Sequence, residues 1–327
     1  MAKPVSALAC GKIILFGEHA VVYGRPAIAV PVTQVRAEAK ISPIPNASVV
    51  IDAADVARHY VLRDAAPDDP IAAITRLTCE KLGVEPKNFS IRISSTIPLA
   101  RGLGSGAAVS VAIVRALARY FSTTENTEGA EEKRKNLVGK LSAEDISALA
   151  YEVEKLHHGT PSGIDNTVIA LERPVYFQRN QPIKTFRVSR PFLIAIADTG
   201  IASPTKIAVS DVRHNWEKER DKHEKIFDEI GEITTQARKL IESGEISSLG
   251  SLMLKNQDWL KQLGVSSPEI EEIIDAAVGA GAEGAKLSGA GRGGNVIALV
   301  DEETREYVER AMKRAGARQV IITEIRD

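Results

Sequence analysis

The sequence predicts a two-domain α+β protein. Three observations carry that expectation: chain length, a change of pattern near residue 185, and the order of periodicities beyond it. At 327 residues the chain is long for one compact domain and suits two of ~100–200 residues each. A polar stretch from Arg179 to Arg190 contains Pro182 and is followed by Pro191. It divides a first domain, residues 1–185, from a second, 186–327. The second reads strand, helices, two strands, helix, strand, the order of an α+β domain of ferredoxin-like type.

In the first domain, Ile13-Ile14-Leu15-Phe16 and Ala27-Ile28-Ala29-Val30 read as short strands around Gly17 and a Gly24-Arg25-Pro26 turn. Phe89, Ile91 and Ile93 alternate with polar residues, the mark of a half-buried strand ending near Pro98. A helix follows Gly102-Leu103-Gly104-Ser105, with Val111, Val114, Ala118 and Phe121 at three- and four-residue spacing. Thr123 to Lys140 is charge-rich and reads as a solvated connection. Ser142 is the N-cap of a second helix running to about His157, with a stripe of Ile146, Leu149, Val153 and Leu156.

The second domain opens on the buried strand Phe192-Leu193-Ile194-Ala195-Ile196-Ala197. Helical patterns run from Pro204 to about Leu263, with breaks near Gly244 and Gly264. Ser267-Pro268 starts another helix, with Glu269 and Glu271 in the dipole-favoured first turn. Strands near Ala285–Leu287 and Val296–Val300, a helix from Glu302 to Ala315 stopped by Gly316, and a strand from Val320 to Ile325 complete it.

Composition excludes several function classes. Hydrophobic residues are 44% and charged residues 26%, ordinary for a globular protein. Basic and acidic residues nearly cancel, 42 against 43, leaving no electrostatic footprint for nucleic acid or an anionic membrane. The two cysteines, Cys10 and Cys79, are too few for a disulfide framework or a zinc site. Without a secretion-signal core or an apolar run near ~20 residues, a cytoplasmic location is expected.

Four segments carry chemistry. Gly102-Leu103-Gly104-Ser105-Gly106-Ala107-Ala108 places small residues before a helix. Glycines let backbone amides approach a ligand, and a helix start offers unpaired N–H groups to an oligophosphate. The segment lacks the ending of a Walker loop, and a tight strand–helix turn would read the same way. Lys12 through Gly24 gathers a lysine, Glu18 and His19 among strand residues and turn glycines. Glu154, then His157-His158-Gly159-Thr160-Pro161-Ser162-Gly163-Ile164-Asp165-Asn166, puts two carboxylates on neighbouring elements, suited to a magnesium ligand and a catalytic base. A helix-ending loop capped by Asp165 would look alike. Lys286 through Asn295 is a glycine-rich link between strands, either a loose hairpin or a second surface against phosphate.

In this order, from Lys12 to Asn295, the segments resemble the GHMP kinase superfamily, named for galactokinase, homoserine, mevalonate and phosphomevalonate kinases. Gly17–Gly24 and His158–Asn166 are similar to its mevalonate-phosphorylating members. The resemblance implies a first domain like ribosomal protein S5 domain 2, a ferredoxin-like second domain, and ATP, magnesium and mevalonate as ligands. It implies a phosphate loop of Gly102, Leu103, Gly104, Ser105, Gly106 and Ala107. Ser105 and Glu154 would bind the metal, and Asp165 would accept the hydroxyl proton with Lys12 beside it. Glu18, His19, Thr199 and Thr205 would position the substrate, with Lys206 in the same segment. No nucleic acid or membrane partner is implied, and dimers are common among similar proteins. Gly106 replaces a second loop serine, and Arg292 and Asn295 interrupt and end the last glycine run. The competing readings are a sister kinase for homoserine or phosphomevalonate, and a non-catalytic nucleotide-binding protein.

Overall fold

The computed structural model describes residues 3–45, 48–98, 101–123, 141–158, 162–203 and 205–327. The segment 124–140, read above as a connection, lies outside the described residues, as do Gly159 and Pro161. Contacts divide the chain into two compact units that do not follow chain order: Met1–Gly11, Val35–Pro98 and Gly104–Glu172 in one, Lys12–Gln34, Leu99–Leu103 and Arg173–Asp327 in the other.

Strands β1 (Val5–Phe16) and β2 (Ala27–Pro43) are longer than the apolar runs that announced them. Along β2, Val35, Ala37, Ala39 and Ile41 are buried while Gln34, Arg36 and Lys40 are exposed. This is the two-residue period of a strand with one covered face. Alanines carry half of that face, so the hydrophobic signal is faint.

In the first unit the sheet order is β4 (Arg58–Val61), β3 (Val49–Ala53), β5 (Phe89–Ser95), then the later half of β2. β3 and β5 are parallel and the other pairs antiparallel. Helices α1 (Pro70–Lys81), α2 (Ser105–Thr123), α3 (Ala143–His158) and α4 (Ile164–Leu171) pack against one another. Val111 and Val114 of α2 are fully buried, but so are Ala112, Ile113, Ala116 and Leu117, whereas Ala118 and Phe121 are only half-buried. A helix with neighbours on several sides buries more than one stripe.

The expected start of α3 is present: the Ser142 hydroxyl oxygen accepts from the Asp145 amide at 3.0 Å. Its expected stripe is not complete. Ile146 and Val153 are buried, but Leu156 is 49% exposed. Burial shifts to Ser147 and Ala150, because α4 docks there through Asn166, whose Nδ2 donates to Ser147 O at 3.0 Å.

Nothing in the pattern of residues 44–88 announced β3, β4 or α1. Asp69 organises this stretch. It is the N-cap of α1, accepting from the Ala72 amide at 2.8 Å, with Pro70 in the first helical turn. Its carboxylate also accepts from the Tyr60 hydroxyl at 2.8 Å and from Arg58. Burial alone would raise its pKa; the Ala72 amide, Tyr60 and Arg58 outweigh that and hold it below the ordinary carboxylate value. A depressed folded-state pKa gives stability that is present above the unfolded value and lost as pH falls through the folded one. Asp69→Ala is therefore expected to cost about 2–3 kcal/mol at neutral pH, from cap and stranded donors together. The difference from the parent should shrink in acid, as denaturant melts across pH will read.

In the second unit, β6 (Val175–Phe177) pairs with the start of β2 and with β7 (Lys184–Thr185). The main sheet is β8 (Phe192–Asp198), β9 (Gly284–Ser288), β10 (Asn295–Val300) and β11 (Gln319–Ile325), in spatial order β11-β8-β10-β9, all antiparallel. First strand beside fourth, then third, then second is the ferredoxin-like order, as expected. Helices α5 (Thr205–Lys218), α6 (Arg220–Ser243), α7 (Leu249–Gln262), α8 (Pro268–Gly279) and α9 (Arg305–Arg314) belong to this unit. One core joins Ala195, Ala197, Val296 and Leu287 to Phe227 and Ile273.

Gly244 closes α6 in the left-handed conformation, and Ser267-Pro268 opens α8. The last helix starts at Arg305 rather than Glu302. Asp301 Oδ1 accepts from the Glu303 and Thr304 amides at 2.9 and 2.7 Å and holds those residues in a turn.

Candidate active site

The phosphate-loop candidate begins in the second unit. Gly102 (φ 73°) and Gly104 (φ 73°) both take left-handed backbone, between which Leu103 is buried. The Leu103 carbonyl accepts the Lys12 amide of β1 at 3.0 Å, so Lys12, 4% exposed, lies against the loop. The loop then enters α2 at Ser105, whose first intrahelical acceptor is Gly104 O, bonded to the Ala108 amide at 2.9 Å. The amides of Ser105, Gly106 and Ala107 precede that first bond, where a helix offers donors and a positive dipole end.

Across the same unit, Asn295 Nδ2 donates to the Arg101 carbonyl. Arg101 Nη2 donates to Gly200 O at 3.1 Å, and its Nε lies 3.4 Å from Asp198. The last glycine run therefore reaches the phosphate loop through Asn295, the residue that departs from the family pattern. Arg292, the other departure, takes φ 56° and is turned away to Asp211 and to Gly264 O at 3.1 Å. Thr199 is buried, its hydroxyl donating to Gly294 O at 3.0 Å and accepting from the Ile201 amide at 3.2 Å. It knits the glycine run to the end of β8. Thr205 and Lys206, by contrast, are exposed at the start of α5.

The Glu18–His19 turn is tightly constrained. Glu18 is 1% and His19 6% exposed. His19 takes φ 60°, ψ −49°, outside the comfortable regions for a residue with a side chain, immediately before a short 3-10 turn at Ala20–Tyr23. Its Nε2 is 2.9 Å from the Ala290 carbonyl, which only accepts, so Nε2 carries the proton. Burial lowers the ring pKa to about 4, against the pull of that carbonyl and with help from Arg292 and Lys286. At neutral pH the imidazole is uncharged. Glu18 Oε1 sits 2.5 Å from Lys286 Nζ, both side chains wholly buried.

The first unit brings Glu154 and Asp165 to one neighbourhood. Asn166 Nδ2 bonds Ser147 Oγ at 2.8 Å, and Gly163 (φ 82°), the residue before α4, packs on the Tyr151 ring. Ser147, Tyr151 and Glu154 follow at four- and three-residue spacing, so Glu154 is on the α3 face toward the start of α4. Asp165 lies in the first turn of α4 and is half-buried, as is Glu154. Gly163 caps with no side chain, so Asp165 is not the cap that the alternative reading made it.

Sequence reasoning quoted Lys286 without giving it work. The available signal was a lysine inside the otherwise apolar Ala285-Lys286-Leu287 strand. Arg101 and Asp198 gain their roles only through the folded contacts.

A glycine turn feeding a helix start, a lysine against it and, in the other unit, an acidic helix turn are elements that phosphoryl-transfer enzymes use. Family models agree: GHMP kinases N terminal domain matches residues 69–173, and GHMP kinases C terminal matches 237–318. The chain belongs to the GHMP kinase family. It is 34% identical over 340 residues to the mevalonate kinase of Thermococcus sibiricus, covering 97% of this chain and 95% of that one. It is likewise 34% identical to the mevalonate kinase of Pyrococcus horikoshii, covering 97% and 94%. Among solved structures, L. major mevalonate kinase in complex with R-mevalonate superposes with TM-score 0.82 at 26% identity, covering 100% of this chain and 99% of that one.

Proposed function

We propose that this kinase transfers the γ-phosphoryl group of ATP to the 5-hydroxyl of mevalonate. The observation that carries the reading is the left-handed Gly102–Gly104 turn, held to Lys12 and leading into the open N-terminus of α2. The relatives named above, alike over nearly their full length, support mevalonate as the alcohol.

In this reading the residues divide the work. Amides of Gly102, Leu103, Gly104, Ser105, Gly106 and Ala107 hold the phosphates. Asp165 accepts the hydroxyl proton, which makes the oxygen the stronger nucleophile toward the γ-phosphorus, and ADP leaves. The Lys12 ammonium offsets charge on the transferring phosphoryl oxygens. Glu18, His19, Thr199 and Thr205 position the alcohol, Thr199 by holding the last glycine run. The functional domains are residues 1–185 and 186–327.

Magnesium fits the donors present. Among the described residues no group of three or more His, Cys, Asp or Glu side chains forms a metal cage. Magnesium is commonly held by one or two protein oxygens, with phosphates and water completing its shell. Ser105 Oγ and the half-buried Glu154 carboxylate are oxygen donors of that kind. When bound, the ion would neutralise the β- and γ-phosphate oxygens. Ser105→Ala is expected to raise the magnesium concentration needed for half-maximal rate by about tenfold, roughly one charge-assisted contact. An unmoved magnesium titration would assign the ligand elsewhere.

No described helix is long and apolar enough to cross a membrane. A cytoplasmic location belongs to the same reading, and sedimentation tests whether two copies pair, as is common among similar proteins. The decisive assay is ADP release in magnesium with mevalonate, homoserine or phosphomevalonate as acceptor. Preference for mevalonate is expected; preference for another acceptor overturns the substrate, and release with none overturns the activity.

A further inference from the structure

The second unit contains a wholly buried ion pair of which the reaction above uses Glu18 and gives Lys286 no part. Lys286, in the middle of β9, places Nζ 2.5 Å from Glu18 Oε1 and 2.6 Å from the Leu287 carbonyl. The other carboxylate oxygen, Oε2, is buried with no hydrogen-bond partner among the described residues. A buried pair left half-satisfied is a poor source of stability, and apolar replacements are often no less stable. Its use therefore lies in what it holds.

Three positions at two-residue steps grip the β1 turn. Lys286 takes Glu18, the Ser288 hydroxyl donates to Ile14 O at 2.7 Å, and the Ala290 carbonyl takes His19 Nε2. His19, next to Glu18, holds an unfavourable backbone between these contacts. Its proton faces Ala290, which leaves Nδ1 as an acceptor.

We propose that Lys286 is a positioning residue of the transfer reaction: by gripping Glu18 it fixes the His19 imidazole as the Nε2–H tautomer, presenting Nδ1 to a substrate hydroxyl. The inference rests on the reading of His19 as a substrate contact. Lys286 touches neither substrate nor nucleotide in this role and acts through the turn.

The test compares the full-length parent, Lys286→Met, Lys286→Arg and the double variant Glu18→Gln/Lys286→Met. The double variant removes both charges together, so it remains folded where Lys286→Met alone strands a buried carboxylate. Nitrogen-15 spectra of the six histidines, with His19 assigned by His19→Gln, report its tautomer without any ligand. The expected result is a double variant that melts near the parent yet shows mixed His19 tautomers. Its KM for mevalonate should rise about tenfold with KM for ATP unchanged, and Lys286→Arg should restore part of the loss. A double variant with parental His19 nitrogens and parental KM for both substrates overturns the proposal. A parent that ignores mevalonate sinks the substrate reading alone, while the nitrogen spectra still decide whether the pair fixes His19.

Discussion

Replacing Asp165 with asparagine is expected to lower kcat by about 10²–10⁴-fold, the range lost with a general base. The amide keeps the shape of the carboxylate and cannot take the hydroxyl proton. The fold should hold, because α4 is anchored by other residues: Asn166 to Ser147, and the Thr167 hydroxyl to Gly163 O at 2.7 Å. The favourable interaction of a first-turn carboxylate with the helix dipole is lost, roughly 0.3–1 kcal/mol. ATP affinity, measured by calorimetry, should remain within a few-fold of the parent, since the groups assigned to the phosphates are untouched. A kcat within a few-fold of the parent would remove Asp165 as the base.

Replacing Gly17 with alanine should damage the protein itself. At φ +94°, a Cβ there would lie 2.3 Å from the Pro26 carbonyl oxygen and 2.5 Å from Ala27 Cα. Both obstacles are backbone at the start of β2, so neither can rotate aside. Left-handed backbone costs a side-chain-bearing residue roughly 1–2 kcal/mol before any clash. With displacement of the strand, the total is on the order of 3–5 kcal/mol, a large share of a typical 5–15 kcal/mol stability. The melting temperature should fall by roughly 5–15 °C, or soluble protein should be lost. Gly24→Ala is the control. That residue also has positive φ, 84°, but open space where Cβ would go, so only the backbone cost is expected. Equal losses in the two variants would show that the Pro26 contact is unimportant. Any folded Gly17→Ala protein should also bind mevalonate more weakly, because Glu18 and His19 ride on the same turn.

The features readable in advance were those written in local chemistry. Ser142, Gly244 and Ser267-Pro268 each mark a helix end by the hydrogen bond or backbone angle that their residue type permits. The order of elements after Pro191 was enough for the ferredoxin-like sheet, since its periodicities are strong and its strands almost wholly apolar. Weak signals were missed. The alanine-rich face of β2 hid a long strand, and β3 and β4 are too short to show a period. Leu156 fitted a helical stripe that α4 ends one turn early.

For the site, residue types and spacing single out the glycine turn, Lys12, Glu154 and Asp165 as candidates, and the family resemblance supplies the roles proposed for them. Partnership was another matter. That Lys286 serves Glu18 from 268 positions away, that Asn295 holds the Arg101 carbonyl, and that Arg292 turns to Asp211 are products of folding. A charge in a sequence has no address: its partner, its burial and hence its protonation arise only when distant strands come within a few ångströms and exclude water. Local conformation and candidate chemistry are encoded within a few residues of each other, whereas electrostatics is a property of the assembled neighbourhood.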